Sequence, residues 1–290
     1  MRRIFQVEDM TIHRIVEMEQ GFVAPRTFFP DLTEACLEEN RHWLEPVALD
    51  VQQLLVLCFQ SFIVTTPHHT ILIDTCVGND KDRANLPVWH FKSDDAWMRS
   101  LAAHGLTVED IDFVMCTHLH VDHVGWNTKL ENGRWVPTFP RARYLFSEKE
   151  LAFWTEESRK TPLPYMEDSV LPIVAAQRAD LVRSDHQLGD HLRLLPTPGH
   201  TIDHFSVELG RGSTQALLTG DAIHSPLQAR YPELSMRFDH DADLSRQSRR
   251  ALLERCCESN ALTCFAHFPS PSVARVKRWD SGFRCEFVSE

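Results

Sequence analysis

The sequence predicts one α/β domain built from two similar halves, and three observations lead there. Short apolar runs of strand length alternate with stretches of helical spacing through both halves of the 290 residues. No linker, repeat or low-complexity segment divides the chain. Residues able to bind a metal or move a proton stand where apolar runs stop, at the ends of expected strands.

The elements follow in order. Thr11 to Met18 alternates loosely and reads as a strand. Gly21 to Leu49 is irregular and rich in Pro and aromatics, with a helical stretch around Leu32 to Trp43. Leu54 to Val64 and Thr70 to Ile73 read as a strand pair joined at Thr66-Pro67-His68-His69. Asp94 to His104 has helical spacing, with Ser93 or Asp94 as cap. Ile111 to Cys116 is a buried strand, and Arg143 to Phe146 another. Ser147 caps the helix that opens at Glu148, and Leu171 to Ala179 is helical. Leu192 to Pro196, Phe205 to Leu209 and Ala216 to Thr219 are short strands separated by Gly-containing turns. Asp243 to Cys257 is a helix, and the strands Leu262 to Phe265 and Phe283 to Val288 finish the chain.

Composition excludes several function classes. The net charge of −11 argues against nucleic acid or an anionic membrane as partner, since both need clustered Lys and Arg. No apolar run approaches the 18 or more residues of a membrane span. The N-terminal stretch reaches Glu8-Asp9 before any signal-like apolar run develops, so the expected compartment is the cytoplasm. Eight cysteines without a C-x-x-C pair read as free, mostly buried thiols.

The densest chemistry is the hexapeptide His118-Leu119-His120-Val121-Asp122-His123. Imidazole and carboxylate together suit zinc or another first-row divalent ion. If the chain stays extended past Cys116, residues 118, 120 and 122 project from one face, and His123 joins them only if the backbone turns. Four further places end an expected strand with a ligand type: Asp74 after Ile71-Leu72-Ile73, His200 in Thr197-Pro198-Gly199-His200-Thr201, Asp221 in Thr219-Gly220-Asp221, and His267 after Cys264-Phe265-Ala266. Singly, each is an ordinary turn Asp or capping His. Together with the hexapeptide they supply enough donors for two adjacent metals.

In this order and over most of the length, the motifs resemble those of the metallo-β-lactamase-fold hydrolases. The resemblance implies an αβ/βα four-layer sandwich spanning residues 1–290 as a single domain, with two metals at one edge. By position, His118, His120 and His200 would hold one metal and Asp122, His123 and His267 the second, with Asp221 bridging. Asp74 would support the ligand loop from behind. The ions would be zinc first, with manganese, cobalt or iron(II) as alternatives. Thr219 to His224 and Ala266-His267-Phe268-Pro269 look most like the branch of quorum-quenching lactonases and methyl-parathion-type phosphotriesterases.

That branch implies a dinuclear hydrolase opening lactones, or cleaving related esters, by attack of a hydroxide shared between the ions. Asp122, Asp221 and His224 would be the catalytic residues, His224 standing where lactonases often carry a tyrosine. The alternatives are a phosphotriesterase or arylesterase, an iron-dependent redox member, or a non-catalytic one. The expected partner is a small neutral ester or lactone, and the expected assembly a homodimer. Segments near 21–50, with Phe22, Phe28 and Phe29, and near 79–95, with Trp89, His90 and Phe91, would roof the metals. His204 is set aside as a non-ligand, and His68, His69, His90, His186, His191 and His240 as surface residues. Two positions depart from the family's pattern: Cys76 where a Gly is frequent, and Trp126, which would bring a bulky ring near the metals.

Overall fold

A computed structural model describes residues 4–288. Its strands form two seven-stranded sheets and one hairpin. The first sheet runs β1 (Ile4–Val7), β2 (Met10–Val23), β3 (Leu55–Thr65), β4 (Thr70–Ile73), β5 (Phe113–Met115), β8 (Arg143–Ser147) and β9 (Ala179–Val182). The second runs β10 (Gln187–Leu188), β11 (Leu192–Pro196), β12 (Phe205–Leu209), β13 (Ala216–Leu218), β14 (Leu262–Cys264), β15 (Val273–Trp279) and β16 (Gly282–Phe287). β6 (Thr128–Glu131) and β7 (Arg134–Pro137) pair with each other as a hairpin. Contacts divide the chain into two compact units, residues 1–17 with 59–183 and residues 18–58 with 184–290, so two divisions fall inside β2 and β3 and the third falls between β9 and β10.

In the first unit β4, β5, β8 and β9 are parallel neighbours. Strands covered on both faces need continuous apolar runs rather than alternation, and Thr70–Ile73, Phe113–Met115 and Arg143–Ser147 supply them. Leu72, Val114, Tyr144 and Phe146 are fully buried there with Trp97 of α3 (Ala96–Ala103). In the second unit α7 (Ala242–Ser259) buries Leu252, Leu253 and Cys256 in a cluster with Leu217, Phe265, Val276 and Phe283. Each such side chain contributes about 1.5–3 kcal/mol by leaving water.

Both units repeat one device that decides where the chemistry sits. β4 and β5 are parallel and in register, Ile73 opposite Met115, so the chain leaves both at the same end. β13 and β14 are likewise parallel, with Leu218 opposite Cys264. Asp74 and His118 follow the first pair; Asp221 and His267 follow the second.

Several expectations need correction. The helix from Leu171 is α5 (Leu171–Ala175), and Ala179 opens β9 instead. The helix expected from Asp94 begins at Ala96, although the Asp94 carboxylate still accepts the Ala96 amide at 2.8 Å. The strand expected over Ile111 to Cys116 is Phe113–Met115. The hairpin β6–β7 was not expected, yet Asn132-Gly133 at its tip, with φ of 51° and 73°, is the pair such a tight turn favours. Ser147 caps α4 (Glu148–Lys160) as expected, and the helix expected over Asp243 to Cys257 is α7, capped by Asp241; but the strand expected over Thr11 to Met18 continues to Val23, and β15 was not expected.

A buried polar knot lies in the first unit, beside the loop after Asn79. Asp168, in a π-type turn over Met166–Val170, receives both terminal nitrogens of Arg83 at 2.7 and 2.9 Å. The fully buried Lys81 amine donates to Thr128 Oγ1 at 2.6 Å and lies 3.8 Å from the centre of the Trp135 ring. Burial pulls the Lys81 amine down to about 7, against the opposing pull of Asp168.

Candidate metal centre

Each unit carries its own set of donors. In the first, Asp74 directly follows β4 and Thr117-His118 follow β5. The Asp74 amide donates to Met115 O at 2.9 Å, carrying the ladder one residue further. The chain then bends rather than staying extended, so 118, 120 and 122 do not alternate along a strand. Instead the His123 amide donates back to His120 O at 3.0 Å. That turn brings the rings together: His118 lies 4.6 Å from His120 and 4.1 Å from His123, centroid to centroid. His118 and His123 are buried, whereas the Asp122 carboxylate is 15% exposed.

Asp74 holds this loop from behind. Its carboxylate accepts the Thr117 amide at 2.8 Å, the Thr117 hydroxyl at 2.9 Å and His123 Nδ1 at 2.9 Å. Thr117 Oγ1 in turn meets His118 Nδ1 at 3.0 Å. Both imidazoles are therefore anchored at Nδ1, which leaves Nε2 as the donor, the arrangement typical of metal-binding histidines. The backbone strains to place this carboxylate: Asp74 and Cys76 have φ of 56° and 48°, in the left-handed region where glycine is easiest. Cys76, at the position where the family often has Gly, takes that conformation with its thiol 3.2 Å from Ser61 Oγ. The ring of Trp126 turns into the core, stacks on Trp97 at 5.6 Å and donates to Glu17 at 2.7 Å.

His120 has a different support. Trp154 of α4 meets its ring at 5.3 Å and donates its indole N–H to Glu150 at 2.8 Å. Glu150, fully buried, also accepts the Leu119 amide at 3.3 Å. Neither Glu150 nor Trp154 had a spacing in the sequence that would mark it.

In the second unit three imidazoles converge on one carboxylate. Asp221 lies in the tight turn after β13, its Oδ2 3.2 Å from His224 Nε2 and 3.4 Å from His200 Nε2, while Oδ1 is 3.1 Å from His267 Nε2. All four residues are at most 4% exposed. The outer nitrogens of two rings are held: His200 Nδ1 by Asp239 at 3.0 Å, and His267 Nδ1 by the carbonyl of Cys58 at 3.0 Å. The turn carrying Asp221 is fixed by His204, whose Nε2 accepts the Asp221 amide at 2.9 Å, so the histidine set aside as a non-ligand has a structural role. Gly199 is obligatory here, with φ of 126° and room for no Cβ, which would stand 2.1 Å from the Ser245 amide of α7.

His224 differs from the other two. Its Nδ1 is buried without a hydrogen-bond partner among the described residues, its ring lies parallel to His267 at 5.6 Å, and Phe28 meets its face edge-on at 5.5 Å. Burial lowers its pKa, Asp221 opposes that shift, and His200 and His267 add to it. For Asp239, burial alone would raise the carboxyl, but the bond and charge of His200, with His224 and Arg249, hold it below the ordinary range.

The donor chemistry fits divalent cations. Imidazole nitrogens and a carboxylate, desolvated and locked from outside, are what such an ion needs, and His200, Asp221 and His224 offer ligand atoms within 4.8 Å of one another. Of the aromatics expected above the metals, Phe28 reaches a site residue, whereas Trp89 is buried against Phe59 and Phe91 is 57% exposed. His191, expected at the surface, is buried between Asp190 and Arg211. Near it a cavity of about 220 Å³ is lined by Arg193, Glu208 and Arg255, and none of the predicted site residues borders it.

Sheets and parallel strand pairs define the metallo-β-lactamase fold. The chain belongs to the metallo-β-lactamase superfamily, whose family model matches residues 58–255. It is 26% identical over 228 residues to an N-acyl homoserine lactonase of Bacillus sp, covering 74% of this chain and 83% of that protein. A lactonase of the same name from Bacillus cereus is 26% identical over 164 residues, or 56% of this chain, and the match spans only 58% of that relative's length. Among solved structures, hydrolase AbOPH of the β-lactamase superfamily superposes with a TM-score of 0.83 at 22% identity, covering 100% of this chain and 98% of that one. AidC, a dizinc quorum-quenching lactonase in complex with a product, gives 0.79 at 19% identity with the same coverage. Among the described residues no helix is long and apolar enough to cross a membrane.

Proposed function

We propose that this protein is a dinuclear metal-dependent hydrolase that opens lactones or cleaves related carboxylic esters. In this reading His118, His120 and His200 hold one divalent ion, Asp122, His123 and His267 hold the other, and Asp221 serves both. Zinc is the metal we expect. The observation that carries the reading is the convergence of His200, His224 and His267 Nε2 on the buried Asp221 carboxylate. Burying a carboxylate costs several kcal/mol unless something positive compensates, and the imidazoles around it are more valuable as donors than as charges. Two bound divalent ions supply Lewis acidity, lowering the pKa of bound water towards 7 and polarising the substrate's acyl oxygen.

The chain's own residues do the rest. Asp74 orients His123 directly and His118 through Thr117. His224, 3.2 Å from Asp221, would hydrogen-bond the leaving oxygen as the ring opens. Phe28, packed on His224, would offer apolar surface to the hydrocarbon part of the substrate. The named activity of the Bacillus relatives supports a lactone over other esters.

The test is a kcat/KM panel on metal-reconstituted protein, comparing acyl-homoserine lactones, simple γ- and δ-lactones, aryl esters and paraoxon-type triesters. We expect a lactone to lead and elemental analysis to return two metals per chain. A clear preference for triesters, or a single iron with no hydrolysis, would overturn the reading.

A further inference from the structure

The fully buried Arg249 of α7 has no part in the chemistry proposed above, yet it touches the surroundings of His200, Asp221 and His224, while His267 is held separately by the carbonyl of Cys58. Its five N–H groups are all used. Nε donates to Ala222 O at 2.9 Å, next to Asp221. Nη1 donates to Pro232 O and Leu234 O, each at 2.8 Å. Nη2 donates to Ser245 Oγ at 2.9 Å and reaches Asp239 Oδ2 at 3.5 Å. Leu234 O also accepts Gln228 Nε2, and Gln228 Oε1 accepts the His224 amide at 2.7 Å.

Asp239 is the second member. Its side chain is fully buried; Oδ1 holds His200 Nδ1 at 3.0 Å and Oδ2 accepts the Met236 amide at 3.0 Å. A buried carboxylate needs a counter-charge, and a buried guanidinium needs five acceptors. An apolar pair would satisfy packing at less cost, so the ion pair calls for another reason. A carboxylate on Nδ1 fixes the tautomer of His200 and makes its Nε2 a stronger donor.

We propose that Asp239 and Arg249 are positioning residues that set the metal affinity of the His200 position separately from the position that Asp74 supports through His123. This rests on the dinuclear reading. Asp239→Asn keeps the shape and removes the charge, so it weakens one equivalent of Zn2+ about 10–100-fold. Asp74→Asn weakens both equivalents, the one held by His123 directly and the other through Thr117 and His118, so only Asp239→Asn is confined to one. Arg249→Met has the effect of Asp239→Asn, and Asp239→Glu recovers part of the loss.

The experiment is competition of the full-length protein against a zinc chelator, with Co2+ substitution as a second readout. Unfolding of the metal-free forms serves as the control for a merely structural role. The inference predicts that Asp239→Asn loses at least tenfold in affinity at one equivalent, with a shifted Co2+ d–d band and a metal-free Tm close to wild type. It is overturned if Asp239→Asn binds every equivalent within twofold of wild type, or if its losses follow the metal-free Tm alone. A wild type that takes a single equivalent defeats the dinuclear reading. The inference is then judged on that one: a tenfold loss in Asp239→Asn sustains it, and no loss overturns it.

Discussion

The Asp74 carboxylate lies 2.9 Å from His123 Nδ1 and 2.8 Å from the Thr117 amide, so one side chain fixes both ends of the ligand loop. It does so from a left-handed backbone with φ of 56°, a conformation costing about 1–3 kcal/mol for a residue other than glycine. That cost is tolerated because the carboxylate replaces water for three buried donors at once.

Replacing Asp74 with alanine leaves those donors unpaired in a dry interior. We expect Asp74→Ala to lose about 2–4 kcal/mol of stability. Urea unfolding in excess chelator reads this without any metal contribution. An Asp74→Ala protein as stable as wild type under those conditions would show that the loop does not need its support.

His224 should separate substrates. Its contact with Asp221 and its packing on Phe28 place it beside the donors, without any hydrogen bond holding its Nδ1 among the described residues. We expect His224→Ala to lower kcat for lactones with poor alkoxide leaving groups at least tenfold, and to leave aryl esters with good leaving groups within about threefold. An equal fall for both classes would assign His224 to holding the site together.

Lys81 gives a pH dependence of stability. Its folded pKa is drawn from 10.5 down to about 7, chiefly by burial. Between those values the unfolded chain binds the proton and the folded one does not, so stability rises with pH from 7 towards 10.5, by up to about 1.4 kcal/mol per unit. Below 7 this contribution is flat. Lys81→Met should remove that rise, which urea unfolding at pH 7, 8 and 9 measures directly; an unchanged slope would place its origin elsewhere.

What was legible in the sequence was what local pattern encodes. Asp74, His118, Asp221 and His267 each stand within three residues of a strand end, and the apolar runs before them mark those ends. Ser147 and the helix it caps followed from local hydrogen bonding. The rest was settled by tertiary contact. His123 is brought to His118 by a turn in which the His123 amide donates to the His120 carbonyl, a hydrogen bond that leaves no trace in composition. Glu150 and Arg249 lie inside α4 and α7 among other charged residues, and Asp239 lies just before α7; nothing in their spacing shows that folding buries them behind the candidate metal donors. Ala179 looked helical after Leu171 to Ala176, but it pairs with Tyr144 and so opens β9.

The sharpest prediction concerns Asp221. Its carboxylate stands within 3.1–3.4 Å of three imidazole nitrogens in a site nearly closed to water, which suits the metal-loaded protein and penalises the metal-free one. Chelation should therefore lower the Tm and abolish hydrolysis, and added Zn2+ should restore both, because a ligand that binds only the folded state stabilises by about 2.7 kcal/mol at 100 times its Kd. In Asp221→Ala the hydrolysis should be lost for every substrate of the panel, and the zinc-dependent gain in Tm should shrink. In the metal-free form the same substitution should cost little, since the desolvated charge goes with it. A variant that turns over normally, or gains as much from zinc as wild type, would remove Asp221 from the centre of the site.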